Sequence, residues 1–230
     1  MPCRSGSPHG VLGAGPAFTA APVWGASVRR GVPVYLVQDI ETWYYPDQPH
    51  VHAAVLGSYQ FGAFTSAVDV GGGHGSLLAA VLDGNQAATG TLFDLPSVIE
   101  DAARAEFITR LGDRIRPIGG DFFKEVPPGG DLYLLKFILH DWDDADSVRI
   151  LINIRRAIAP GGRLAVVEMV LPGRNEPHIG PLTDLNMMVM TGGVERTAAE
   201  YGDLLAKAGF RLERVTATKS PFSVVEAVPI

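Results

Sequence analysis

The segment Asp69-Val70-Gly71-Gly72-Gly73-His74-Gly75 carries the strongest chemical signal in the chain. Its glycines fall as D-x-G-x-G-x-G. Glycine lets a backbone adopt positive φ and lie close against a ligand. The loop separates an apolar run, 67–70, from a helical pattern, 76–82, and open α/β sheets bind nucleotide-like molecules just outside the carboxyl ends of their strands. Carboxylates also follow the next two expected strands: Asp94 in Leu92-Phe93-Asp94-Leu95-Pro96 and Asp121 in Gly119-Gly120-Asp121-Phe122-Phe123. Any one of the three aspartates could be a turn or cap residue, but capping does not require all three at successive strand ends. His140 lies beyond a fourth strand, in Leu135-Lys136-Phe137-Ile138-Leu139-His140-Asp141-Trp142. An imidazole of ordinary pKa can take a proton from a hydroxyl as that oxygen attacks an electrophile. Asp143 and Asp144 read as caps of the helix that follows. Glu168 is a charge late in an otherwise apolar strand, which calls for a reason. Glu195, in Gly193-Val194-Glu195-Arg196-Thr197, reads either as functional or as a helix-start acid favoured by the dipole.

These residues need a scaffold that brings strand ends to one rim. The patterning predicts strands at 67–70, 91–93, 115–118, 132–138 and 164–170. Helices are predicted at 76–82, 97–111, 144–158, 182–190 and 198–208, with Pro160-Gly161-Gly162 stopping the third. Two closing strands, 212–217 and 223–228, flank Lys219-Ser220-Pro221, a link too short for a crossover and suited to an antiparallel pair. The expectation is an α/β fold with a doubly wound, mostly parallel seven-stranded sheet. Asp184, Asn186, Met187, Met188 and Met190 fall on the helix after the fifth strand. Core packing explains the methionines; the alternative is one wall of a substrate pocket.

Composition narrows the options. Of 230 residues, 47% are hydrophobic and 19% charged, enough for a sizeable core. A net charge of −6 argues against nucleic-acid binding, and no apolar run reaches the ~18 residues of a membrane span. The lone cysteine, Cys3, excludes an internal disulfide and a cysteine-based zinc site and fits a reducing, cytoplasmic compartment. The acidic residues 141, 143, 144 and 146 crowd one turn without EF-hand spacing, so no metal is expected. The first 38 residues lack Asp and Glu, and the first 34 hold 11 glycines and prolines. That texture predicts a loose arm, with a secretory signal as the weaker alternative. Residues 30–50 resemble a fragment of the N-terminal domain of GT-B glycosyltransferases, including a possible short strand at 34–37.

The glycine spacing is not that of a dinucleotide fingerprint, whose last glycine would stand at Ser76. It resembles the first motif of class I S-adenosylmethionine (SAM) methyltransferases, which are Rossmann-like. Residues from about 66 to 230 are similar to the catalytic domain of plant caffeate-type and bacterial polyketide-type small-molecule O-methyltransferases. The stretches that carry this are DVGGGHG, LFDLPSVIEDA, GDFF, LLKFILHDWDD, PGGRLAVVEMVLP, DLNMMVMTGGVERTAAEY and LLAKAGF. The resemblance implies SAM as cofactor and a small hydroxylated aromatic or polyketide-like acceptor. It implies His140 as general base, with Glu168 and Glu195 flanking it. Asp69, Gly71 and Gly73 would line the cofactor loop, Asp94 and Leu95 the ribose, Asp121 and Phe122 the adenine, and Lys136 would touch the cofactor.

Members of that family normally begin with a helical domain that dimerises and closes over the acceptor. Residues 1–58 do not carry its pattern, so the expected division is an irregular segment, 1–58, with an origin foreign to the family as one reading, and a methyltransferase domain, 59–230. The family's usual homodimer is not an expectation for this chain. The alternative to an enzyme is a truncated or fused relic that binds SAM without efficient turnover. A nicotinamide oxidoreductase is disfavoured by the glycine spacing, and a glycosyltransferase lacks a sugar-nucleotide site.

Overall fold

A computed structural model describes residues 48–173 and 176–230. The expected strand at 34–37 and all but the last three residues of the glycosyltransferase-like stretch lie outside the described residues. The chain enters with helix α1 (Gln48–Ser58), then β1 (Ser66–Val70), α2 (Ser76–Asp83), β2 (Thr89–Asp94), α3 (Pro96–Ala102), α4 (Glu106–Leu111) and β3 (Ile115–Gly119). It continues through β4 (Leu132–Lys136), α5 (Asp144–Ala157), β5 (Arg163–Leu171), α6 (Gly180–Met190) and β6 (Arg196–Thr197). Helix α7 (Ala198–Lys207) and strands β7 (Phe210–Ala217) and β8 (Phe222–Pro229) complete it.

The strands form one sheet in the order β3-β2-β1-β4-β5-β8-β7, with the short β6 beside β5. Pairing is parallel from β3 to β5, and β8 inserts antiparallel between β5 and β7. The expected doubly wound sheet and its closing hairpin are therefore present. Parallel register does the positioning. Val70 pairs with Phe93, Asp94 with Gly119, and Lys136 with Val167, so the ends of β1, β2, β3, β4 and the Glu168 level of β5 share one rim.

Side chains alternate across the sheet, as the pleat dictates. Leu132 and Leu134 of β4, with Ala165 and Val167 of β5, pack under α1, α2 and α4. Tyr133, Leu135, Leu164 and Val166 face the other way, onto α5 and α7. Burying each large apolar side chain here is worth roughly 1.5–3 kcal/mol. Glu168 follows the parity of Leu164 and Val166, so the strand's period sends its carboxylate to the face that also carries α5 and α7.

Three expectations need correction. The last eleven residues of the segment expected to be irregular are helix α1, with Val51 and Val55 in the core. The Tyr59 hydroxyl just beyond it donates to Glu226 of β8 at 2.8 Å, so this helix is tied to the sheet. The helix expected at 97–111 is two, because the chain turns at Ala103–Ala105. That turn lets Leu111 reach the core and Phe107 and Ile108 pack against it. The strand expected to reach Ile138 stops at Lys136, because Phe137 adopts φ +58, the only positive φ outside glycine among the described residues.

Candidate active site

Glycine is required in the 71–75 loop. Gly71, Gly73 and Gly75 have φ of +70, +58 and +86, which other L-residues adopt only under strain. A Cβ on Gly72 would collide with the Asp69 carboxylate and Leu92 from beneath, whereas one on Gly73 would meet open space. The loop is thus packed below and free above. Its height is set by β2: the Gly71 N–H donates to Phe93 O at 2.8 Å. The Gly73 N–H donates to Asp94 Oδ2 at 2.8 Å and the Leu95 N–H to Asp94 Oδ1 at 2.7 Å. Asp94 is buried, and burial raises its pKa against the pull of those two N–H groups. Each of its oxygens keeps a second lone pair for a ligand hydroxyl.

Asp69 sits deeper than the sequence suggested. The Leu78 N–H, in the first turn of α2, favours the charge on its carboxylate, while Oδ1 is buried without a hydrogen-bond partner. Burial pushes Asp69 up to about 7, Lys136 pulls it down, and Asp94 pushes it up again. A cationic ligand above the loop would favour its charged form. Asp121 spends one oxygen on its own turn, accepting the Phe123 N–H at 2.9 Å, and Lys124 lies 3.8 Å from the other. Phe122 stands against Gly71, edge-on to Trp142 at 6.2 Å between ring centroids. The Lys136 ammonium lies 4.3 Å from the centroid of the Phe137 ring. His52 of α1 was not foreseen: it is buried with Nε2 unpartnered, and burial, then Lys136, pulls its imidazole down to about 4.

The three residues expected to handle a proton do meet. His140 rides a 3-10 turn, Leu139–Asp141, and is 3% exposed. Its Nδ1 lies 3.2 Å from Glu195 Oε1 and 3.4 Å from Glu168 Oε2. The Glu195 acceptor, with the Glu168 charge beside it, favours the proton on Nδ1 and leaves Nε2 as the basic nitrogen of the neutral ring. Nε2 lies 3.8 Å from Asp141 Oδ1. Burial opposes charge on this imidazole, but Glu168, Asp141 and Glu195 together outweigh it and hold the imidazolium pKa well above the ordinary histidine value. Burial raises Glu168, offset by His140 and by the Ile138 and Leu139 N–H groups, both 2.9 Å from its Oε1. Glu168 thus orients the ring and anchors the turn that carries it. The second carboxylate oxygens of Glu168 and Glu195 form no hydrogen bond, although Glu168 Oε2 lies 3.4 Å from His140 Nδ1.

Glu195 is not a helix-start acid. Helix α7 begins later, under a capping box between Thr197 and Glu200. The 193–196 segment lies flat on the His140 turn: the Val194 N–H donates to His140 O at 2.9 Å, and a Cβ on Gly193 would overlap that carbonyl. Asp143 caps α5 as expected, accepting the Asp146 N–H at 2.9 Å, but Asp144 instead receives the buried Arg196. Met187 belongs to the core, as expected, whereas Leu182, Leu185, Met188 and Val189 of α6 are exposed. Neither the burial of Arg196 nor the Phe137 conformation was legible in the residue pattern.

Residues 46–211 match the O-methyltransferase domain family. The phenazine O-methyltransferase PhzM of Lysobacter antibioticus is 48% identical over 177 residues, which is 77% of this chain and 52% of that protein. The mitomycin biosynthesis 6-O-methyltransferase of Streptomyces lavendulae is 43% identical over 174 residues, covering 75% of this chain and 49% of that protein. The chain spans about half the length of these curated relatives. The fold superposes on the solved O-methyltransferase NcsB1 of neocarzinostatin biosynthesis, in complex with SAM and 2-hydroxy-5-methyl naphthoic acid. That match has a TM-score of 0.73 and 32% identity, covering 89% of this chain and 63% of that one.

Proposed function

The chain belongs to the O-methyltransferase domain family, and on that premise we propose that it transfers a methyl group from S-adenosyl-L-methionine to a hydroxyl of a small aromatic or polyketide-like acceptor. The observation that carries this reading is His140 held by Nδ1 between two buried glutamates on the rim that also bears the glycine loop. The relatives support the acceptor class, since one is named for phenazine and a solved neighbour holds a hydroxylated naphthoic acid.

The residues present fit such a cofactor. Asp94 offers lone pairs for ribose hydroxyls, with Leu95 beside it and Gly71 and Gly73 as the floor. Asp121 and Phe122 stand at the end of β3 for the adenine. The buried, unpartnered Asp69 Oδ1 lies under the loop, and Lys136 flanks the same rim. When bound, the cofactor supplies an electrophilic methyl group on a sulfonium that departs as a neutral thioether.

The protein's own task is the acceptor's proton. A phenol of pKa near 10 is only ~0.1% ionised at pH 7, a deficit of ~4 kcal/mol. Nε2 of His140 takes that proton while Nδ1–H stays on the glutamates. Each unit by which those carboxylates raise the imidazole towards the phenol removes about 1.4 kcal/mol of the mismatch. The same carboxylates favour the protonated imidazole at rest and so oppose release of the free base. Burial of the cluster keeps water from competing for the proton.

The test combines calorimetry with S-adenosylhomocysteine and a methylation assay on a phenol panel. Wild type should bind the cofactor product and methylate at least one phenol. His140→Ala should lower turnover by about 10²–10⁴-fold and leave the dissociation constant within about twofold. Parallel loss of both would make His140 structural and remove it from the chemistry.

Three coarser points belong to the same proposal. The folded catalytic unit starts at or before α1 rather than at residue 59, a boundary that limited proteolysis would map. A cytoplasmic setting is favoured by the single cysteine, and no helix among the described residues is long and apolar enough to cross a membrane. The exposed apolar face of α6, with Leu182, Leu185 and Val189, makes oligomeric state a measurement for sedimentation.

A further inference from the structure

We propose that Arg196 is a positioning residue for proton transfer: its guanidinium fixes the turn that carries His140 against the 193–195 segment that carries Glu195. The inference deepens the methyl-transfer reading and rests on it.

Among the described residues, Arg196 is the only arginine or lysine that is buried, at 2% exposure. A guanidinium enters a protein interior only where its donors are met. Here the partners come from separate parts of the site. Nη1 donates to Leu139 O at 2.9 Å and to Val194 O at 3.3 Å. Nη2 donates to Trp142 O at 3.0 Å, to Asp144 Oδ1 at 3.0 Å and to Ser147 Oγ at 3.4 Å, and Nε donates to Asp144 Oδ1 at 3.1 Å. Leu139 and Trp142 bracket His140. Their carbonyls are the two ends of its turn, and one planar fork holds both. Lysine, with a single nitrogen, cannot span them.

The location adds to this. Arg196 pairs with Val170 in the β5–β6 ladder, so the same residue is in register with the strand that bears Glu168. It follows Glu195 directly in sequence. Residues on all three elements that supply the cluster therefore meet this one side chain or its backbone. The His140 Nδ1 hydrogen bond to Glu195 at 3.2 Å lies near the upper limit for such a bond, and Glu168 at 3.4 Å makes an ion-pair contact only. A slip of a few tenths of an ångström would break the bond to Glu195. Tyr201, fully buried from α7, faces Glu168, Glu195 and Arg196, and burial first, then the two glutamates, hold its phenol well above the usual range. It stays a neutral phenol and brings no further negative charge to the cluster.

The experiment is a double-mutant cycle between Arg196→Lys and Glu195→Ala, with cofactor-product affinity measured in each variant. Arg196→Lys alone should lower kcat by about 30–100-fold and leave S-adenosylhomocysteine binding within twofold. In the Glu195→Ala background it should lower kcat by less than threefold, because the contact it protects is already gone. A full multiplicative loss, or a parallel loss of cofactor affinity, overturns the proposal. Asp144→Asn, which loosens the guanidinium from its exposed side, should reproduce the kcat effect at about three- to tenfold if Arg196→Lys fails to fold; an unchanged kcat counts against the idea. Should wild type methylate no phenol, the methyl-transfer reading fails on its own. Arg196 is then judged by the imidazole Nδ1–H of ¹⁵N-histidine-labelled protein. That proton should be protected from exchange with water in wild type and exposed in Arg196→Lys, and equal protection in both overturns the assignment.

Discussion

The peptide N–H of Glu195 donates to Asp184 Oδ1 at 2.8 Å, so one carboxylate joins helix α6 to the His140, Glu168 and Glu195 cluster. The helix after β5 carries both this aspartate and an outward apolar face. Whatever moves α6 moves Glu195, and with it the acceptor for His140 Nδ1–H.

Asp184→Ala should therefore act through Glu195. We expect turnover to fall about tenfold, on the order of one lost hydrogen bond to a buried main chain, with cofactor affinity unchanged. Asp184→Asn keeps an acceptor oxygen and should recover most of the rate. Initial rates for the pair check it, and equal defects in both variants would count against the link.

The pH dependence follows from the raised imidazole. Its folded-state pKa lies above the ordinary 6.5. Protonation of His140 therefore stabilises the fold fully below 6.5, and that contribution fades as the pH climbs through the raised value. Turnover runs the other way, rising with pH until Nε2 is free. Glu168→Gln removes one of the charges that raise the imidazole, so the midpoint of the rate profile should move to lower pH while the plateau drops. A single-turnover pH series on both proteins decides it. A midpoint shifted upward would contradict the assignment of Glu168.

Gly193→Ala places a methyl group in the carbonyl of His140. The cost should be about 1–3 kcal/mol of stability, as for other overpacked sites, with at least a tenfold loss of turnover because the displaced loop carries Glu195. Gly202→Ala in α7, where the nearest atom would be Leu212 at 3.7 Å, should instead gain roughly 0.5–1 kcal/mol. Thermal unfolding of the two variants provides the comparison.

Asp94→Ala removes the acceptor for the Gly73 and Leu95 N–H groups and, on the proposed reading, for the ribose hydroxyls together. Binding of S-adenosylhomocysteine should weaken by roughly 1.5–3 kcal/mol for each charge-assisted hydrogen bond lost. Calorimetry reads this directly, and an unchanged dissociation constant would take Asp94 out of the site.

Much of this site could be read from the sequence because its signals are local. A glycine run between a β-branched strand and a helix, an aspartate after each of two more strands, and one charge in an apolar strand are visible within a few residues of each. Hydrophobic period gave the sheet for the same reason. The parts that could not be read depend on distant pairs. Arg196 looks like any surface arginine until β6 aligns with β5 and the 139–142 turn folds over it. The break at 103–105 has no glycine or proline to announce it and is imposed by where α4 must bury its apolar side chains. Helix α1 has no amphipathic pattern of its own to give it away, and its place comes from packing on the sheet.

The left-handed backbone at Phe137 is held by its ring, which lies 4.5 Å from Phe222 and is stacked 5.9 Å from His140 between centroids. A bulky residue in that conformation costs on the order of 1–2 kcal/mol, so the kink needs its neighbours. Phe222 opens β8, the strand that slots between β5 and β7. During translation the kink therefore lacks one of its supports until β8 has left the ribosome and inserted. A nascent chain could form the glycine loop early, yet the His140 imidazole would settle only in the closing step of folding.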